Sequence, residues 1–150
     1  MDLEHEFTFT ARIKEPVSVG AGPFGDRSIF EVVGGEVTGD RIHGTVGSGG
    51  GDWALIGDDG FARLDARMTV DTDDGAHVYV EFRGVLELNE AAGAAMAGER
   101  PSDYPDHYVR IAPRLETGDS RYAWVNQSLF VGEGRIQPGP AVEYRVYRVA

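Results

Sequence analysis

The sequence predicts an all-β chain folded as a single-domain antiparallel β-barrel with one short helix. Three observations carry that expectation: apolar and polar residues alternate with period two through most of the chain, glycine is used at 21 of 150 positions, and one segment alone reads as helix. Glycine at about twice its average usage goes with a chain that reads as strands and turns nearly throughout. A length of 150 residues suits one core and is short for two.

The elements follow in order. From His5 to Ile13, Phe7, Phe9, Ala11 and Ile13 alternate with Glu6, Thr8, Thr10 and Arg12, the pattern of a strand with one face on a core. Arg27 to Val33 and Glu36 to Val46 read as two strands separated by a turn at Gly34-Gly35, and Trp53 to Ile56 as a short third. Asp58-Asp59-Gly60 is the next turn. Between Ala62 and Thr72, Leu64, Ala66, Met68 and Val70 oppose Arg63, Asp65, Arg67, Thr69 and Asp71. Asp73-Asp74-Gly75 then supplies a hairpin, because Asp and Gly accept the positive φ of a tight turn. His77 to Leu88 resumes with Val78, Val80 and Phe82 against Tyr79, Glu81 and Arg83. The helix spans Asn89 to Gly98: Asn89 caps it, Glu90 suits its first turn, alanines fill it, and Gly98 closes it before Pro101. Met96 and the alanines give it a small apolar face to cover one end of the barrel. His107 to Leu115, Tyr122 to Val131 and Ala141 to Val149 read as strands, Gly118-Asp119 as a turn, and Gly132 to Pro140 as a loop. A closed barrel is preferred to a sandwich because several polar strand faces carry aromatics (Tyr79, Tyr108, Tyr147), which a barrel places in a cavity or in solvent.

Charge and composition exclude several classes of function. A net charge of -11 repels phosphate backbones and anionic lipid surfaces, so neither nucleic acid nor membrane is an expected partner. Absence of cysteine removes disulfides, thiolate metal sites and a cysteine nucleophile, and fits a reducing compartment. With no membrane-length apolar run and no signal-peptide pattern at Met1 to Glu6, the expected location is cytoplasmic. Gly20-Ala-Gly-Pro-Phe-Gly25 has the spacing of a dinucleotide fingerprint but no helix after it to receive a pyrophosphate. Gly47-Ser-Gly-Gly-Gly51 lacks a phosphate-binding lysine and reads as a mobile loop at a barrel mouth. His5, His43, His77 and His107 are scattered, so no metal and no cofactor are expected.

The candidate site residues are acids and aromatics on strand faces. Asp52 follows the glycine loop with Trp53 beside it, where an acid and an indole meet an approaching ligand; the plainer alternative is a turn-capping Asp and a core Trp. Asp65, Tyr79 and Glu81 share polar faces of adjacent strands. If those faces line the lumen they form a cluster able to move protons; if they face water they are ordinary cross-strand charge pairs. Tyr108 and Arg110, with Trp124 and Asn126 on a neighbouring strand, supply the charge, wall and amide of a small-molecule pocket. Of the two acids, Asp65 beside Arg67 suits a base, and Asp52 in a mobile loop suits an acid desolvated on closure.

Several segments together resemble a known family: Gly20 to Arg27, Gly34-Gly35, Gly49-Gly-Gly-Asp-Trp53, Thr72-Asp-Asp-Gly75, and above all Tyr108-Val-Arg-Ile-Ala-Pro-Arg-Leu-Glu-Thr-Gly-Asp-Ser-Arg-Tyr-Ala-Trp-Val-Asn126. They are similar to the small bacterial and fungal proteins grouped as domain of unknown function 3237, the uncharacterised family UPF0311. Leu115 and Val125 depart from the expected aromatic and leucine. The resemblance implies a β-barrel of lipocalin-like or allene-oxide-cyclase-like build and carries no family-wide reaction. The expected function is a cofactor-independent enzyme acting on a small, largely apolar organic molecule by proton transfer, as an isomerase, a cyclase or a lyase/hydratase. Its catalytic residues would be Asp52, Asp65 and Tyr79, and its ligand-binding residues Trp53, Glu81, Tyr108, Arg110, Trp124 and Asn126. The alternative is a non-catalytic binding or carrier protein with the same lining, and either reading leaves room for a homo-oligomer.

Overall fold

A computed structural model describes residues 1–150. Ten strands, β1 (Leu3–Ile13), β2 (Val17–Gly22), β3 (Gly25–Gly39), β4 (Gly44–Val46), β5 (Gly50–Ile56), β6 (Phe61–Thr72), β7 (His77–Glu87), β8 (Val109–Glu116), β9 (Phe130–Gln137) and β10 (Ala141–Val149), are joined by helix α1 (Glu90–Met96) and a 3₁₀ segment, Ser120–Gln127. All pairings are antiparallel. The order β1-β10-β9-β8-β7-β6 continues through β4 and β5, which share one position between β6 and β3, and β3 pairs back onto β1. This closes an eight-strand barrel. The β2–β3 hairpin extends from it, β2 lying along Gly25 to Ile29.

The alternation in β1, β6 and β7 places its apolar set inward. Phe7, Phe9, Leu64, Ala66, Met68, Val78, Val80 and Phe82 are all buried in one hydrophobic cluster. Helix α1 starts as its cap dictates: the Asn89 side chain accepts the Ala92 amide at 3.0 Å, and Ala92, Ala94 and Ala95 are buried.

Three expectations are corrected. Gly34-Gly35 is no turn but the interior of the long strand β3, opposite a register shift in β1. A Cβ on Gly35 would stand 1.6 Å from the Thr10 carbonyl oxygen, so the strands reach ladder distance only at a residue without one. Gly132 to Pro140 is no loop: residues through Gln137 form β9, whose glycines admit large neighbours. Tyr122 to Val131 is a strand only from Phe130, and the segment before it is 3₁₀, capped by the Asp119 side chain on the Arg121 amide. The segment is kinked at Tyr122, whose φ of -116° and ψ of 17° are not helical, and its buried residues are Tyr122 at the kink and Val125 beyond it.

Helix α1 precedes β8 and the 3₁₀ segment follows it, so the two occupy opposite ends of the barrel. The 3₁₀ segment plugs one end, with Tyr122 donating to the Asp74 carboxylate at 2.8 Å. At the other, α1 stands beside the mouth, and Met96 remains 48% exposed.

Candidate active site

Inside the barrel lies a cavity of about 330 Å³, at the lower end of the range for small-molecule sites. Its wall is apolar: Phe30 and Val32 from β3, Leu64 and Met68 from β6, Phe82 from β7 and Ile136 from β9 are among the side chains it presents. Alanines at 11, 54, 62 and 66 leave the space open. Lys14 and Glu15 stand at the mouth with Pro16, Leu88, Met96 and Pro140, and Lys14 is paired with Glu31 at 3.1 Å.

One carboxyl group belongs to the barrel wall. In β5 the inward set is Asp52, Ala54 and Ile56, and Asp52 lies in register between Phe30 of β3 and Ala66 of β6. Its Oδ1 accepts the Asp65 backbone N–H at 2.9 Å. The β5–β6 ladder is interrupted there, between the pairs Asp52↔Ala66 and Leu55↔Arg63, so the side chain takes the place of a main-chain acceptor. Burial among apolar groups pushes the Asp52 carboxyl up to about 6, against the lowering effect of the Asp65 amide and with a further push from the Asp65 charge.

Tyr144 of β10 is the second polar group on the wall. It is 3% exposed, stacked on Phe9 at 5.1 Å and tilted against Phe82 at 5.4 Å between ring centroids. Gly134 makes room for it: a Cβ there would meet Tyr144 Cε1 at 2.7 Å. Burial and the nearby Asp52 charge raise the phenol well above its ordinary range, so it stays protonated.

The other candidates lie elsewhere, and the structure does not bring them together with Asp52. Asp65, Tyr79 and Glu81 are on the outer faces of β6 and β7. Asp65 faces Arg83 at 3.4 Å, while Tyr79 donates to Glu81, which also accepts from Arg114. Those two hydrogen bonds hold Glu81 below the usual carboxylate range. They form the cross-strand charge ladder that was the alternative reading of this face. Trp53 adjoins Asp52 in sequence and therefore points outward, 39% exposed. Tyr108 and Arg110 are exposed on the outside, the guanidinium 4.8 Å from the ring. Trp124 belongs to the 3₁₀ plug, covered by Arg41 at 3.7 Å, and Asn126 clamps the Thr117 N–H and C=O, each at 2.9 Å.

Tyr144 and the alanine set escaped the sequence reading. Tyr144 shares the inward parity of Val142 and Val146, and that signal was present; Tyr147, of opposite parity, is the tyrosine that drew attention. No three His, Asp or Glu side chains gather at metal-binding distance, and the histidines make local contacts, His43 with Asp73 and His77 with Asp71. No helix is long and apolar enough to cross a membrane.

Comparison with known proteins gives the same picture of fold. A UPF0311 protein of Rhodopseudomonas palustris is 39% identical over 133 residues, 88% of this chain and 86% of that one. A crystal structure from Acinetobacter baumannii, described as a beta-barrel like protein, superimposes with a TM-score of 0.83 at 28% identity, covering 99% of this chain and 96% of that one. An enzyme from Penicillium herquei has the same fold, with a TM-score of 0.68 at 21% identity over 100% of this chain and 96% of that one. The family described as "Protein of unknown function (DUF3237)" matches residues 1–149, and to that family, with the UPF0311 proteins, this chain belongs.

Proposed function

We propose that the protein is a cofactor-independent enzyme that moves a proton on a small, largely apolar organic molecule bound in the barrel, in isomerisation, cyclisation or lyase/hydratase chemistry. The observation that carries this reading is the Asp52 carboxyl, set deep on an apolar cavity wall, away from Glu15 at the mouth, and pushed up to about 6 by burial. A carboxylate of that basicity accepts a proton near neutral pH more readily than an exposed one and gives it back in the same site. With Asp65 on the outside, Asp52 serves as both base and acid. One group in two roles favours reactions in which a proton leaves one atom of the substrate and returns at another. The fold shared with the Penicillium herquei enzyme supports the reading at the level of architecture only.

The test is a set of small apolar carbonyl, alkenyl and hydroxy compounds followed by NMR in D₂O. Proton transfer catalysed by the wild-type protein should fall by about a hundredfold or more in Asp52→Asn. As a base Asp52 must be ionised, so the rate should rise with pH through a midpoint near 6 and level off above it. Catalysis in Asp52→Asn within about a factor of two of wild type would remove Asp52 from the mechanism, and ligand binding by the wild type with no proton transfer above the uncatalysed rate would establish the carrier reading instead.

A further inference from the structure

Two polar atoms face the cavity without a partner. The Tyr144 hydroxyl makes no hydrogen bond within the protein, yet it is absent from the buried atoms sealed off without one, Asp26 Oδ1 and Arg135 Nε, so it opens onto the cavity. Asp52 uses Oδ1 for the Asp65 amide and leaves Oδ2 free. One group is a fixed donor and the other an acceptor and base, while the one cation that lines the cavity, Lys14 at its mouth, is already paired with Glu31.

We propose that the substrate class of this site is a neutral ketone, saturated or β,γ-unsaturated, with Tyr144 donating to the carbonyl oxygen and Asp52 taking a proton from the carbon beside the carbonyl. The assignment rests on the acid–base reading of the cavity above. When Asp52 removes that proton, the C–H electron pair becomes a C=C bond, the carbonyl π pair moves to oxygen, and the enolate oxygen is held by the Tyr144 O–H. Return of the proton to the same carbon gives exchange; where the substrate has a C=C one carbon further out, the enolate is a dienolate, and return of the proton to its far end shifts the double bond into conjugation. In either case one C–H bond breaks, one forms, and the carboxylate is regenerated. The negative charge leaves Asp52 as it appears on the substrate oxygen, so the number of charges in the apolar cavity is unchanged. A donor already oriented by the stacked rings of Phe9 and Phe82 needs no reorganisation to meet it. A carboxylate substrate is disfavoured, because it would add a second negative charge beside Asp52 in an acidic protein.

The probes are 1-tetralone, a two-ring ketone with exchangeable hydrogens beside its carbonyl, and tetralin, the same skeleton without the oxygen. Calorimetry should show tetralone binding about tenfold tighter than tetralin to the wild type, the worth of one hydrogen bond to a buried donor. Tyr144→Phe should bring the two within about twofold. That variant removes only a hydroxyl with no internal partner, so its fold is preserved. Mass spectrometry in D₂O should show the wild type accelerating deuterium uptake beside the carbonyl. The acceleration should fall about a hundredfold in Tyr144→Phe and in Asp52→Asn. Equal wild-type affinity for the two probes, or unchanged exchange in Tyr144→Phe, overturns the carbonyl assignment and leaves the acid–base cavity standing. Exchange lost in Tyr144→Phe but retained in Asp52→Asn overturns the role of Asp52. Binding of neither probe up to its solubility limit overturns both.

Discussion

Holding the Asp52 carboxyl among apolar side chains with no cation beside it makes its ionised form expensive, and the expense has a sign that can be measured. A rise from 3.8 to about 6 corresponds to up to about 3 kcal/mol, less whatever water in the cavity returns. Between those values the folded chain keeps a proton that the unfolded chain gives up. This group therefore lowers folding stability as pH rises from about 4 to about 6, and contributes no further slope above that. Urea titrations at pH 4, 5 and 7 should show Asp52→Asn close to wild type at pH 4 and more stable at pH 7, by up to about 3 kcal/mol. A variant that is less stable than wild type at pH 7 would mean the carboxylate is held by more than the Asp65 amide. Asp52 was legible as a candidate because it follows the glycine run Gly49–Gly51. Its partner carried a weaker signal: Tyr144 shares parity with Val142 and Val146, but Ala141, Tyr147 and Val149 put apolar residues on the other face as well, and the register with β1 and β9 decides which face turns inward.

Strands whose inward residues are large and regular, β1, β6 and β7, were readable from period two alone. Of those built on glycine, β3 was read as two strands broken at Gly34-Gly35 and β9 mostly as a loop, because a glycine that admits a neighbouring chain looks in sequence like a glycine that turns. A glycine that admits a neighbouring chain and a glycine with open space on a helix respond oppositely to alanine. Gly35→Ala adds a methyl inside the Thr10 carbonyl at a φ of +157° and should destabilise the fold by about 3 kcal/mol or more, visible as a collapsed melting temperature or insoluble protein. Gly93 in α1 has nothing within 4 Å of its missing Cβ. There the same change should stabilise by about 0.5–1 kcal/mol in a denaturation curve, by relieving glycine's poor helix propensity. The 3₁₀ plug misled for another reason: Tyr122, Trp124 and Phe130 suggest period two by composition, whereas the chain kinks at Tyr122 and buries Tyr122 and Val125.

Closure of the sheet separates an apolar interior from a charged exterior, and this decided the fate of the candidate site. Asp65, Tyr79 and Glu81 share a parity opposite to the Leu64–Ala66–Met68 and Val78–Val80–Phe82 sets, so once the latter fill the core the former must lie outside. What the sequence left undetermined was whether the barrel would be full. It is not, because alanines line β1, β5 and β6 where larger residues would meet across the lumen. Filling that space should uncouple stability from function. Ala54→Leu should leave the melting temperature within a few degrees of wild type or above it and abolish ligand binding in calorimetry. Binding that survives in this variant would place the ligand outside the barrel.

The interruption of the β5–β6 ladder has a spectroscopic consequence. Because the Asp65 amide hydrogen rests on a side-chain oxygen that titrates, it is a built-in indicator of the cavity's protonation state. In a ¹H–¹⁵N spectrum its resonance should move with pH through a midpoint near 6, remain fixed in Asp52→Asn, and shift again when a bound molecule takes up or releases the proton. Recorded during turnover, that single peak reports from the back of the strand what the carboxyl is doing at the front.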